Sequence, residues 1–327
     1  MKKVLYILLF CGWYVMSLLP LRVLYLFSDL MFPVMYYVVR YRREIIRENI
    51  INSFPDKTYK ERIAIEKKHY RFFCDQIVET IKEFSISPKE MSRRMEFRGL
   101  DVACDELEAS PYAYAFLYLG HYCNWEWISS LGLHLPDNQC CAQIYHPLRN
   151  VHFNNLFLFL RGRFGAESIT MHNTLRRLLS KRKEGKKAFI GFISDQSPKW
   201  NGINYFVPFL QRDTAALTGS ELIGRKVGAL YYYGEVERVR RGYYVCHVRK
   251  MEVPENTDCE YPITTMYMER LEQQILARPE FWLWSHKRWK RTKEEYLAVC
   301  AMESDPKARV QLLMQREWMR ENGYEVK

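Results

Sequence analysis

The chain of 327 residues has no Cys-x-x-Cys pair, and its nine cysteines, at 11, 74, 104, 123, 140, 141, 246, 259 and 300, follow no regular spacing. An odd, irregular set argues against a disulfide framework and for a body that lives in a reducing, cytoplasmic compartment. His-Glu-x-x-His and its inverse are both missing, so His121, Glu126, His134, His146 and His152 lack the spacing of a metal enzyme. The sequence holds no internal repeat, no low-complexity tract, no linker rich in proline, glycine or serine, and no RNA-binding signature. These absences leave one domain after the N-terminal segment and give no support to a nucleic-acid partner.

Hydrophobic residues make up 48% of the chain, enough for a proper core. Lys and Arg outnumber Asp and Glu, 49 to 38, and the net charge of +11 points to an anionic partner. The N-terminus narrows that choice. Residues 4–21 carry no charge, between Lys2 and Lys3 on one side and Arg22 on the other, which is about the length that crosses a hydrocarbon core. A second apolar stretch, 23–39, is broken only by Asp29 and Pro33, and no small-residue cleavage site marks a signal peptide. Two layouts fit: a span followed by an interfacial helix, or a helical hairpin. Arg40, Arg42, Arg43 and Arg47 follow, as expected at an anionic cytoplasmic leaflet. The expected organisation is therefore an anchor over 1–39, a single folded domain over 40–300 and a helical extension over 301–327.

Apolar residues at helical spacing predict a long amphipathic helix over 58–84. Runs at 113–119, 140–145, 187–194, 228–236 and 243–251 read as strands; 124–133, 150–164, 172–184, 214–226, 261–277 and 306–320 read as helices. Such alternation predicts an α/β fold with a mostly parallel central sheet flanked by helices. Active sites of these sheets gather at the carboxyl ends of strands.

The stretch LYLGHYCNWEW, 117–127, places His121 at such an end. Glu126, five residues on, is the sequence-nearest carboxylate that could fix the imidazole tautomer and leave the other nitrogen free as a base. No serine-type nucleophile accompanies the pair, so the chemistry suggested is attack by a substrate hydroxyl on an activated acyl group. Cys123 is the competing nucleophile, but two neighbours on a tight loop need not face each other. Three more stretches add candidates. Residues 145–169 bring Arg149, Arg161 and Arg163, suited to a phosphate or an oxyanion. Residues 192–221 begin with Asp195 and Gln196 at a strand end and continue as a long loop with a helix from near Thr214. Residues 278–291 mix tryptophans with basic residues, as suits a membrane interface or an anionic headgroup.

GHYCNWE, the segment from Arg161 to Gly165, DQ followed by VPF-x-x-x-x-T, and RPEFWLWSHKRWK occur here in the order found in the bacterial lipid A late acyltransferases, and over 1–291 the chain resembles that family. The resemblance implies a membrane-anchored enzyme, catalytic domain on the cytoplasmic side of the inner membrane, with no metal or organic cofactor. It would carry a fatty acyl chain from acyl carrier protein, or coenzyme A, to a hydroxyl of a lipid A precursor. It makes His121 the catalytic base and Glu126 its acidic partner. Arg161 would steady an oxyanion or phosphate, with Arg149 and Arg163 as neighbouring candidates. Asn124, Asp195, Gln196, Trp284, His286 and Arg288 complete the expected substrate contacts. Phe209, Leu210 and Gln211 depart from the Phe-Phe-Gly usual in the family, which touches the pocket's shape. Acylation of another membrane glycolipid or lysophospholipid, and a non-enzymatic protein of anionic membranes, are the alternatives.

Overall fold

The computed structural model describes residues 2–254 and 256–324. Helices α1 (Lys2–Leu18), α2 (Leu21–Pro33), α3 (Arg43–Ser53), α4 (Tyr59–Lys82) and α5 (Pro88–Arg94) precede the sheet. Then follow β1 (Met95–Arg98), α6 (Leu100–Ala109), β2 (Tyr114–Leu119), β3 (Gln139–Tyr145), α7 (Val151–Gly162), β4 (Glu167–Thr170), α8 (Thr174–Arg182) and β5 (Lys187–Ile193). A hairpin of β6 (Phe206–Phe209) and β7 (Arg212–Ala215) leads to α9 (Gly219–Val227), β8 (Ala229–Arg240), β9 (Tyr243–Lys250) and α10 (Pro262–Ala277). Helices α11 (Lys293–Met302) and α12 (Pro306–Glu321) end the described chain.

Seven strands form one sheet in the order β1-β9-β8-β2-β5-β3-β4, parallel throughout except where β8 meets β9. The α/β fold with a mostly parallel sheet is thus as the alternation predicts. Strand β2 lies at its centre, and every residue of YAFLYL is buried. That is why β2 reads as an unbroken apolar run: helices cover both faces, so neither needs polar residues. Helix α4 begins where the sequence places it, with Thr58 accepting from the Glu61 backbone N–H and Glu61 answering on Thr58, a reciprocal cap that satisfies two orphan donors.

Three local expectations change. The segment 124–133 is a 3-10 helix, Glu126–Leu133, rather than an α-helix. The helix expected near Thr214 starts at Gly219, because 206–215 pairs into the β6–β7 hairpin. The first apolar run stops at Leu18, before Pro20, and among the described residues the helix long and apolar enough to cross a membrane is Leu21–Val39, formed by α2 and a π-helical continuation, Val34–Val39.

One face of α2 is fastened to the body. Leu21, Leu24, Tyr25 and Ser28 are buried; Tyr25 donates to Glu79, Ser28 to Asp75, and Arg241 bridges Asp29 and Asp75. Leu26, Phe27, Leu30, Val34 and Val38 face outward on the other side. At the far end of the chain, Trp200, Ile203, Ala215, Val299 and Leu313 make a second small core that seats α11 and α12 on the loop after β5.

Candidate active site

His121 and Asp195 meet because of register. Strands β2 and β5 run parallel with Leu119 opposite Ile193, so the residues two steps beyond each strand emerge side by side at the carboxyl end of the sheet. Gly120 makes the turn possible: a Cβ there would lie 2.4 Å from Leu271 Cδ1. Tyr267 on α10 ties the two strand ends together, donating to the Leu119 carbonyl at 2.8 Å and accepting from the Ser194 N–H at 3.3 Å.

The imidazole is set by Asp195. His121 Nδ1 lies 2.5 Å from Asp195 Oδ1, and the His121 backbone N–H donates to Oδ2 at 3.0 Å. The Trp282 indole N–H also donates to Oδ2, at 2.8 Å. Burial would raise the Asp195 carboxyl, but the facing His121 ring, its hydrogen bonds and the Trp282 donor outweigh that and hold it down at about 2. An ionised carboxylate on Nδ1 keeps the proton there and leaves Nε2 as the free base. Nε2, away from the carboxylate, accepts from the Gln196 side-chain amide at 3.2 Å, and the His121 side chain remains 19% exposed.

Glu126, expected to orient the ring, is engaged elsewhere. Both its oxygens accept from Arg161, Nε and Nη2 each at 2.8 Å, and Trp125 Nε1 adds a third donor at 3.1 Å. Burial would raise its carboxyl, yet Arg161 brings it below the usual range. The reason for the change is geometric: a carboxylate five residues along a 3-10 turn is close in sequence, whereas Asp195 arrives from the neighbouring strand in direct line with the ring. Arg161, at the end of α7, leaves Nη1 outside this bidentate clamp and lies over the Phe157 ring. Behind it Glu83 is fully buried, its Oε2 without a hydrogen-bond partner and its Oε1 accepting from Ser129.

The other sequence candidates fall into three groups. Gln196 is at the ring. His286 and Arg288 lie near enough for Asp195 to act on both electrostatically; Arg288 is 1% exposed and donates to the Ala215 carbonyl, and burial pushes its guanidinium down to about 10. The rest are placed structurally. Asn124 is buried, donating to Glu79 and accepting from the Trp127 N–H; Arg163 donates to the carbonyls of Glu83 and Ile86 beyond the end of α4; Trp284 donates to the Pro279 carbonyl; Arg149 is exposed on the loop before α7. Cys123 is buried and its thiol is pushed well above its usual value by burial, which removes it as a nucleophile.

Trp282 is the site residue that sequence reasoning passed over. It arrives on the segment 279–289, which runs beside the histidine turn: the Cys123 N–H donates to the Phe281 carbonyl, the Leu283 N–H to the His121 carbonyl, and Tyr122 bridges Trp282. Its tryptophan-rich composition was a visible signal, but it suggested a membrane interface instead of a support for a carboxylate. Among the described residues no group of three or more His, Cys, Asp or Glu is arranged to hold a metal ion.

Comparison with known proteins adds a match of residues 1–291 to the family "Bacterial lipid A biosynthesis acyltransferase". The chain is similar to the Escherichia coli K12 protein "Lipid A biosynthesis palmitoleoyltransferase", 25% identical over 291 residues that cover 83% of this chain and 89% of that one. The Shigella flexneri "Lipid A biosynthesis acyltransferase" is similar to the same degree and over the same shares.

Proposed function

The chain belongs to the bacterial lipid A biosynthesis acyltransferase family, and from that premise we propose that it carries a fatty acyl chain from acyl carrier protein to a hydroxyl of a lipid A precursor, with His121 as general base and Asp195 as its orienter. Acyl transfer in lipid A synthesis is the activity of the family. The observation that carries our reading of the site is the 2.5 Å contact between His121 Nδ1 and Asp195, which leaves Nε2 away from the carboxylate on a partly exposed side chain.

A lipid hydroxyl has a pKa far above neutrality and needs a positioned base, a contribution of roughly 100- to 10,000-fold. His121 Nε2 takes the hydroxyl proton as the oxygen attacks the thioester carbonyl carbon. The C–S bond then breaks and the leaving thiolate takes the proton from the imidazolium, so one ester and one thiol result. Asp195 stabilises the imidazolium in between. The Gln196 amide marks the position at Nε2 that the hydroxyl enters. Arg161 supports the developing oxyanion through the guanidinium edge left open by Glu126, and Glu126 acts as its positioning residue. Trp282 is the positioning residue of Asp195.

We place the enzyme on the cytoplasmic side of the inner membrane. Helix α2 is joined at its middle to charged groups of the body, through Ser28 and Asp29, while its outer face is a continuous apolar row. That asymmetry favours a helix lying in the membrane surface over one crossing it alone. The direct test is an assay of purified protein with acyl-acyl carrier protein and a lipid A precursor. Acylated lipid should form with the parent and not with His121→Ala. Product formed only from acyl-coenzyme A would overturn the donor, and product formed by His121→Ala at the parent rate would overturn the base.

A further inference from the structure

A cleft of about 290 Å3 opens between the π-helical end of Leu21–Val39 and helices α3 and α4. Its charged lining is Arg43 and Arg47 of α3 and Lys60 and Lys67 of α4, and no acidic residue lines it. Beneath them Glu66, 1% exposed, accepts from Arg43 at 3.1 Å and from Arg47 at 2.9 and 3.0 Å. One buried carboxylate thus fixes two guanidinium groups and neutralises one charge of the four. Lys67 has no ion-pair partner among the described residues; it lies 5.7 Å over the Tyr36 ring and 5.8 Å over the Tyr37 ring. Arg43 also stands over the Tyr36 ring, at 4.5 Å. Arg43, Arg47 and Lys67 are held in place by rings and by a buried acid, while Lys60 stands exposed at the rim, as in a site already organised for an anion.

Its position selects the anion. Tyr36 and Tyr37 belong to the π-helical end of Leu21–Val39, whose Val34, Val38 and Val39 are exposed beside the cleft. Apolar surface and clustered cations meet along one edge, the pattern of an anionic lipid with its chains against valines and its phosphate among lysines and arginines. The turn that joins the two parts is tied to the body: Arg40 and Arg42 hold left-handed backbone, Tyr70 donates to the Tyr41 carbonyl, and Arg42 donates to the Ser285 carbonyl.

We propose that this cleft binds the phosphate headgroup of an anionic membrane phospholipid and so fixes the depth and tilt of the body on the membrane. The proposal rests on the membrane placement given above but not on the catalytic assignment. The test is flotation of the full chain with vesicles of phosphatidylcholine, alone or mixed with phosphatidylglycerol. The parent should favour the mixed vesicles, and Lys60→Gln with Lys67→Gln should reduce that binding at least about tenfold, leaving binding to neutral vesicles unchanged. A control that removes two charges elsewhere, Lys183→Gln with Lys186→Gln, should have little effect, and activity on detergent-dispersed substrate shows that each variant is folded. Equal binding by the parent and the cleft variant, or equal losses in cleft variant and control, overturns the site. Displacement of the parent from mixed vesicles by millimolar inorganic phosphate at constant ionic strength, absent in the cleft variant, would instead assign the cleft to free phosphate. Failure of the parent to bind either vesicle overturns the membrane placement itself.

Discussion

Asp195 is asked to do two things at once, to hold one ring tautomer and to stay ionised while buried. The His121 ring, the His121 amide and Trp282 together make this possible. Asp195→Asn presents an N–H to Nδ1 and favours the wrong tautomer, so kcat should fall roughly 100- to 10,000-fold with the fold intact by circular dichroism. Trp282→Phe keeps the ring packing and removes only the donor; steady-state kinetics should show kcat down about tenfold, the scale of one hydrogen bond to a charged group, with KM unchanged. A rise in KM at constant kcat would mean that Trp282 touches substrate instead. Glu83 offers a separate test. Burial first, then the charge of Glu126, raises its carboxyl from the ordinary 4.5 to about 8. The folded state keeps a proton that the unfolded chain releases, so the stability it contributes is full below 4.5, falls as pH rises to about 8, and changes no further above. Tm measured at pH 5 and pH 8 should therefore differ less in Glu83→Gln than in the parent. His121 at a strand end is legible in the sequence, but the carboxylate that meets its ring is not. Glu126 was the visible carboxylate near His121, whereas Asp195 lies 74 positions away and is brought in by a strand register that no local pattern encodes.

Among the elements, those that carry an apolar run are legible: β2, β3, β5, β8 and β9 all fall where the runs do. The four-residue strands β1 and β4, at the two edges of the sheet, have no comparable run to announce them. The β6–β7 hairpin was hidden for a different reason. Its turn is Leu210-Gln211, with φ of 48° and 65°, where glycine or asparagine would ordinarily signal the left-handed backbone. Glu272 receives the Leu210 N–H at 2.6 Å and Leu210 itself is fully buried, so tertiary contacts hold the turn in place of favourable turn residues. Gln211→Gly should relieve left-handed strain and raise the unfolding free energy by about 1 kcal/mol; a loss of stability in denaturant titration would show that Gln211 contributes a contact that glycine cannot replace.

For the whole molecule, alternating strands and helices with an apolar N-terminus were enough to give the α/β class and the candidate anchor. They did not give the way the two join. The polar residues that interrupt α2 are the ones that fasten it to the body: Ser28 and Asp29 reach Asp75 and Arg241. Sequence alone reads such residues as flaws in a span, because the partners that satisfy them lie far along the chain. With the helix fastened there, His121 at the carboxyl end of β2, the apolar face of α2 and the cationic cleft are parts of one packed body. The most direct test is mass spectrometry of total lipid A from cells lacking this protein, complemented by the parent, His121→Ala or Asp195→Asn. One secondary acyl chain should be lost in the deletion, the parent should restore it, and neither variant should do so at equal expression. Unchanged lipid A in the deletion, or full restoration by His121→Ala, would contradict the proposed function.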